Sequence, residues 1–319
     1  MPCTVKRCLF GVYRTFIVLL INVLITLPLL FSDFAQSSDN PPGLPFLRLG
    51  IDARGSALGG AVTASGIGLG ALHWNPAGLV ISTANEVVFS HLRGFDGIDT
   101  EFIGLLLKKG ADKAIAISVF SNNIGGIELR TRPTLIPDGI ISAHDFYAGI
   151  SYSHSIYERL YAGITVKYLY QKIYFSSASG YAGDIGALYI SKDKGLLFGI
   201  SLRNVGSMGA FLHEKPTMPA LIHAGTAYNL PFLPDDKHTV QISGEYELLF
   251  KGKNSLHFGA EYRYAERYSL RAGYVTGFEA KGLSLGAGIL IHRLGLDYAF
   301  LPDVTSFGSQ HVFSVRLKI

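Results

Sequence analysis

The chain has 319 residues, of which 48% are hydrophobic and only 16% charged, with a formal net charge of +4. A soluble protein ordinarily carries charge on about a quarter of its residues, so the composition argues against a water-exposed globule. The cations are scattered rather than grouped, which argues against a nucleic-acid partner, because phosphate binding needs a clustered basic surface.

The first residues read as a cleaved export signal over 1–37. Lys6, Arg7 and Arg14 form a basic start, Phe16 to Phe31 is almost wholly apolar, and Ala35 and Ser37 offer small residues for cleavage. The apolar run is short for a spanning helix, which needs about 20 residues, and Asn22 and Pro28 interrupt it. Both cysteines, Cys3 and Cys8, fall inside this segment. The mature chain then has no thiol for a disulfide, a thiolate metal site or catalysis.

Residues 38–83 form a linker and a plug segment. Pro41-Pro42-Gly43-Leu44-Pro45 is stiff, and Phe46 to Val80 shows no alternation. Ile51 to Ala64 is dense in small residues at a period near 3.6, which predicts a helix able to pack closely against a wall, broken by Gly66-Ile67-Gly68-Leu69-Gly70. Trp74-Asn75-Pro76-Ala77-Gly78 follows as a turn: Asn75 caps it, Pro76 suits the first helical position and Gly78 ends it.

From residue 84 to 319 the period is two. Leu283, Leu285, Ala287 and Ile289 alternate with Ser284, Gly286 and Gly288, and Leu256, Phe258, Ala260, Tyr262 and Tyr264 with Ser255, His257, Gly259, Glu261 and Arg263. Such runs recur over 84–92, 100–109, 114–122, 144–153, 160–175, 181–191, 195–204, 219–229 and 237–249, with five more to the C-terminus. The apolar faces carry Tyr and Phe near strand ends, as the aromatic girdles of a membrane barrel do. The expected fold class is all-β: a transmembrane antiparallel β-barrel of about 14 strands with a short N-terminal helical plug. The polar faces are then the lumen, where Glu245, Glu261, Arg263, Arg271, Arg293 and Asp297 are expected to neutralise one another and hold the plug. A lumen with room for plug and water implies that Ser284→Arg is tolerated better than Leu285→Arg.

Leu49-Gly50-Ile51-Asp52-Ala53-Arg54-Gly55-Ser56-Ala57-Leu58-Gly59-Gly60-Ala61, followed by Leu72-His73-Trp74-Asn75-Pro76-Ala77-Gly78-Leu79, resembles the N-terminal signature of the PorV/PorQ outer-membrane proteins. That family is related to the FadL-type fatty-acid transporters, which carry a similar Asn-Pro-Ala turn. Asn204-Val205-Gly206 with Pro219, and the closing His311 to Ile319, extend the resemblance. Gly66 to Leu72 departs from it, since family members often carry acidic residues there. The resemblance implies a bacterial outer-membrane location and a secretion-associated, type IX-like component that binds or shuttles cargo domains. The alternative is a FadL-like transporter of hydrophobic small molecules, which needs an apolar pocket that the Gly, Ser and charge of the lumen face do not advertise. The partners implied are outer-membrane lipid, secreted cargo or other secretion components, and a hydrophobic ligand.

No enzyme chemistry stands out. Gly282-Leu283-Ser284-Leu285-Gly286 matches a nucleophile elbow in letters only, since it sits in an alternating strand with no helix after it. The Gly66–Gly70 run lacks a phosphate-loop Lys, and the ten His never take metal-ligand spacing. No catalytic residue, cofactor or metal is expected. Mass spectrometry of the envelope-extracted protein should find a mature N-terminus near residues 36–38; intact Met1 or Pro2 there would refute the export reading.

Overall fold

The computed structural model describes residues 42–94, 97–133, 135–192, 195–211, 214–230, 237–277, 282–302 and 308–319. The export signal expected over 1–37 lies outside the described residues. Fourteen antiparallel strands close into one barrel, each paired with its sequence neighbours and β1 with β14. They are β1 Glu86–Arg93, β2 Ile98–Lys109, β3 Lys113–Leu129, β4 Gly139–Tyr157, β5 Leu160–Ile173, β6 Ser176–Ile190 and β7 Leu196–Met208. The second half comprises β8 Leu221–Asn229, β9 His238–Leu249, β10 Ser255–Tyr264, β11 Tyr268–Val275, β12 Leu283–Ile291, β13 Leu294–Leu301 and β14 Gln310–Lys318.

The alternation in sequence becomes an inside and an outside. Ser284 is 3% exposed and points inward, while its neighbour Leu285 is 43% exposed and points outward. Outward Tyr152, Tyr189, Tyr264 and Tyr268 ring the end that holds both barrel termini, and Tyr168, Tyr181, Tyr274 and Phe313 stand toward the other. An apolar outer surface and a closed ladder are what a bilayer demands of strands, since hydrocarbon satisfies no backbone group. The termini end carries the tight turns Glu158-Arg159 and His292-Arg293; the opposite end carries the long connections 130–138 and 209–220. Short turns mark the periplasmic side and long loops the extracellular side of such barrels.

Two irregularities were not readable from the alternation. β3 and β4 run past the expected 114–122 and 144–153 as a projecting hairpin, because a bulge between Ile124 and Ile127 resets the period. Gly126 sits at that bulge with φ +74, a conformation glycine tolerates. In β7 a second bulge opposes Asp184 with both Arg203 and Asn204, so two consecutive side chains turn inward. Asn204 adopts φ +57 there.

Residues 44–82 lie within the barrel and are buried almost throughout. The helix expected over 51–64 is much shorter: α1 spans only Ala53–Ala57. Gly59 (φ +64) and Gly60 (φ +82) end it, well before the Gly66–Gly70 run. The remainder is three short 3-10 segments, Pro45–Arg48, Gly68–Ala71 and Pro76–Ile81. Gly78 lies inside the last of these rather than ending it.

The plug also overturns the tolerance expected of Ser284. Its hydroxyl donates to the carbonyl of Ala57 (3.0 Å), so an arginine there collides with α1 instead of entering water. Leu285→Arg should weaken the folded barrel by about 2–4 kcal/mol if it lies near the midplane, whereas Leu285→Phe should not. Urea titration of the heat-modifiable gel band measures both, and equal midpoints would remove the outward assignment.

Candidate functional site

The lumen combines an apolar patch on one side with charged ladders on the other. On the β2–β7 side, Phe102, Phe120, Tyr147, Leu169, Ala182 and Met208 point inward and are buried. Leu44, Phe46 and Leu47 of the plug fill the space between them. Phe46 stacks on Phe120 (centroids 5.9 Å, 25°), and Phe120 on Tyr147 (5.0 Å, 4°). Each such pair contributes about 0.5–1.5 kcal/mol beyond its buried area. Phe211 and Met218, from the loop after β7, pack on this chamber from the extracellular side. The lumen face expected to be mainly Gly, Ser and charge therefore includes a continuous apolar patch across β2–β7. In β2 to β6 every inward position is small, aliphatic, aromatic or polar by turns, so the chamber emerges only when strands are laid side by side.

At the chamber floor, Lys167 lies 2.7 Å from Asp184 and donates to Asn204 Oδ1 at 2.9 Å. Its ammonium is 5.6 Å from the Tyr147 ring centroid. The β7 bulge supplies the rest: the Asn204 amide donates to Asp184 (2.8 Å), and Arg203 donates to His73 of the plug (2.8 Å). Arg203 also reaches over the Trp74 ring (5.8 Å). Lys167, Asp184, Arg203 and His73 were not singled out from the sequence; two adjacent inward residues need the bulge, which leaves no mark in the period.

On the β8–β14 side the charges form two ladders. Arg54 of α1 meets Glu261 (2.8 Å), Glu261 meets Arg271 (2.7 Å), Arg271 meets Asp297 (2.6 Å) and Asp297 meets Arg316 (3.2 Å). His223 bridges Glu245 and Glu247, and Glu247 also takes Arg48 of the plug at 2.6 Å. Removing one member of such a buried set strands its partner, which costs more than the pair contributes. Glu245, Glu261, Arg271 and Asp297 thus sit in the lumen. Arg293 does not, and Arg263 stands at the periplasmic edge of the same inward row. Arg293 is exposed in the tight turn between β12 and β13, because its alternation belongs to the turn and not the strand. Arg263, at the end of β10, turns to Glu266 of the adjacent turn at 3.0 Å.

Four wall carboxylates hold plug donors: Glu86 accepts from Leu69 N (3.0 Å), Glu245 from Thr63 N (2.9 Å), Glu247 from Arg48 and Glu261 from Arg54. Within the plug, burial pushes the Asp52 carboxyl up, while the Gly55 amide, 3.0 Å away, opposes the shift.

Trp74, Asn75, Pro76, Ala77 and Gly78 dock on the periplasmic half of β4–β7. Asn75 uses both ends of its amide: Oδ1 accepts from Ala77 N (3.1 Å), and Nδ2 donates to Thr63 O and to Ala187 O of β6 (2.9 Å each). Ser153 donates to Ala77 O (3.0 Å) and Ser201 to Trp74 O (2.7 Å). The wall makes room with two glycines: a Cβ at Gly163 would strike the Pro76 carbonyl, and one at Gly186 the Asn75 side chain. Asn75→Ala removes a cap and two wall or plug bonds, a loss of about 1–3 kcal/mol. Proteolysis between residues 44 and 82 should accelerate while the barrel stays heat-modifiable, and Gly186→Val should act alike. Unchanged cleavage in both would show that this turn does not fasten the plug.

Among the described residues no group of His, Cys, Asp or Glu is arranged to hold a metal ion, and no helix is long and apolar enough to cross a membrane. No protein-family model and no curated protein matches the chain, so the PorV/PorQ likeness of the N-terminal motif remains a likeness of residues. Solved structures do match. The CymD monoaromatic hydrocarbon channel aligns at TM-score 0.61 and 14% identity, over 85% of this chain and 98% of that one. The Pseudomonas putida toluene transporter TodX aligns at 0.59 and 14%, over 84% and 96%. A Pseudomonas aeruginosa FadL homologue aligns at 0.51 and 12%, over 83% and 97%. At these identities the likeness is one of fold: the chain is a closed 14-strand antiparallel β-barrel, similar in fold to these channels.

Proposed function

We propose that this barrel is a FadL-like channel that carries small hydrophobic solutes across a bacterial outer membrane. The observation that carries the reading is the Phe46–Phe120–Tyr147 stack inside an apolar chamber below the extracellular loops. A chamber that accommodates a phenyl ring between aliphatic walls suits a flat, uncharged, ring-bearing solute, in which desolvation favours entry. The structurally similar channels carry monoaromatic hydrocarbon or toluene in their own descriptions, which supports the same solute class here. Lys167 and Asp184 beneath the chamber are already paired, so the floor offers a neutral ion pair rather than a free charge.

Saturable binding of toluene to the purified, folded barrel is the test. Phe120→Ala should weaken it about tenfold, the loss of one stacked ring and its buried area. Phe46→Ala should strengthen it, because the plug's own ring vacates the chamber. Absence of saturable binding in wild type and Phe46→Ala alike would overturn the proposal.

A second reading, a secretion-associated type IX-like component that engages cargo, draws on Leu135 (99% exposed), Ile136 (80%) and Phe175 (81%) at the extracellular tips. Under that reading Leu135→Asp with Phe175→Asp abolishes cargo retention at the surface and leaves toluene binding intact.

A further inference from the structure

The outer wall holds a charge arrangement that the channel reading does not use. Lys109, the last residue of β2, and Lys113, the first of β3, are direct cross-strand partners at the periplasmic end of the hairpin. Both are exposed and both point outward, in the same rows as the lipid-facing side chains. Like charges placed opposite one another across an antiparallel pair repel and weaken the hairpin. His154 of β4 pairs with Lys113 on the same face, which extends the row. One acid, Asp112, lowers this charge but leaves the two lysines net positive. Asp112, in the turn between the two lysines, is engaged by His154, whose Nδ1 lies 3.0 Å from its carbonyl and 3.8 Å from its carboxylate. Glu158, in the turn after β4, stands beside Arg159.

The rows beneath are hydrocarbon. Leu107, Ile115 and Tyr152 are consecutive cross-strand partners directly below the cations, and Leu105, Ile117 and Ile150 form the row below that. Ile117 and Ile150 are 51% and 63% exposed, on the surface that faces acyl chains. A cation pair two residues along the strands from an aliphatic wall, at the level of the Tyr girdle, matches one amphiphile: phosphate at the periplasmic edge and chains toward the midplane.

We propose that the periplasmic end of the β2–β3–β4 wall is a binding site for an anionic phospholipid of the inner leaflet. Its phosphate lies between Lys109 and Lys113, and its acyl chains run along Leu107, Ile115 and Tyr152. The bound anion removes the repulsion built into the hairpin. The turn Gly110-Ala111-Asp112 is only three residues long, so both lysines sit on the wall itself, next to its aliphatic rows. That geometry favours a lipid headgroup over an acidic soluble protein.

The experiment is native mass spectrometry of the full-chain barrel in detergent with equal amounts of phosphatidylglycerol and phosphatidylcholine. Wild type should retain phosphatidylglycerol preferentially. Lys109→Gln with Lys113→Gln should lower that preference about tenfold, and Lys109→Arg with Lys113→Arg should keep it; the heat-modifiable gel band reports that each variant is folded. Equal retention of the two lipids by wild type would overturn the site, as would an unchanged preference in the glutamine variant. Displacement of phosphatidylglycerol by inorganic phosphate alone would show a bare anion site and overturn the lipid assignment. So would capture of an acidic soluble protein without lipid enrichment.

Discussion

An irregular backbone at membrane depth has to find its hydrogen bonds inside the barrel, and the structure is organised around that requirement. Hydrocarbon satisfies no amide, so chain that is neither helix nor strand persists there only when protein partners surround it. Here the wall supplies them with side chains. Ser153, Ser201 and Ser284 donate to plug carbonyls, Ser314 and Glu245 accept from the amides of Ala53 and Thr63, and Glu86 takes Leu69 N. Each of these serines and acids occupies an inward position of its strand, and the intervening small residues allow the approach.

This requirement explains which parts of the molecule were legible in the sequence. Alternation reports whether a side chain faces in or out, so the fourteen strands and the inward setting of Glu245, Glu261, Arg271 and Asp297 followed from it. It does not report what the inward side chain touches. Gly163 and Gly186 look like ordinary barrel glycines until Pro76 and Asn75 are seen against them. Asn204 shows its role only through the bulge that brings it beside Lys167 and Asp184. Small residues at helical spacing predict a helix over 51–64, but Gly59 and Gly60, two left-handed glycines in succession, stop a helix whatever its periodicity. Arg293 continues the alternation of β13 in sequence, yet it belongs to the two-residue turn before that strand.

The partition of the lumen follows from the same economy of contacts. Charged side chains gather on β8–β14, where α1 and Arg48 offer partners, and each ladder ends on a plug arginine. On the β2–β7 half the inward residues that face Leu44, Phe46 and Leu47, which offer no polar side chain, are apolar, while Lys167 pairs with Asp184 and Asp145 accepts from Asn122 and Gln171 within the same wall. These charges, which lie next to Phe102, Phe120 and Leu169, carry their partners with them, because a buried charge without a partner costs several kcal/mol.

The two halves also differ in how firmly they grip the plug. From α1 to the Trp74–Gly78 turn, the segment is tied by ion pairs, capped amides and close glycine contacts on many strands. Residues 43–47 are held otherwise. Gly43 N donates to Thr217 O (2.9 Å), the Leu47 carbonyl receives Arg203 and Asn204 at 3.4 Å, and the remainder is apolar contact. Apolar contact is the one kind of restraint that a hydrophobic solute can replace in kind, ring for ring, without leaving a polar group unpaired. On the proposed channel reading, a ligand would replace Phe46 while the polar ladders remain made, and the change required of the plug would be confined to its first few residues rather than to its release from the barrel.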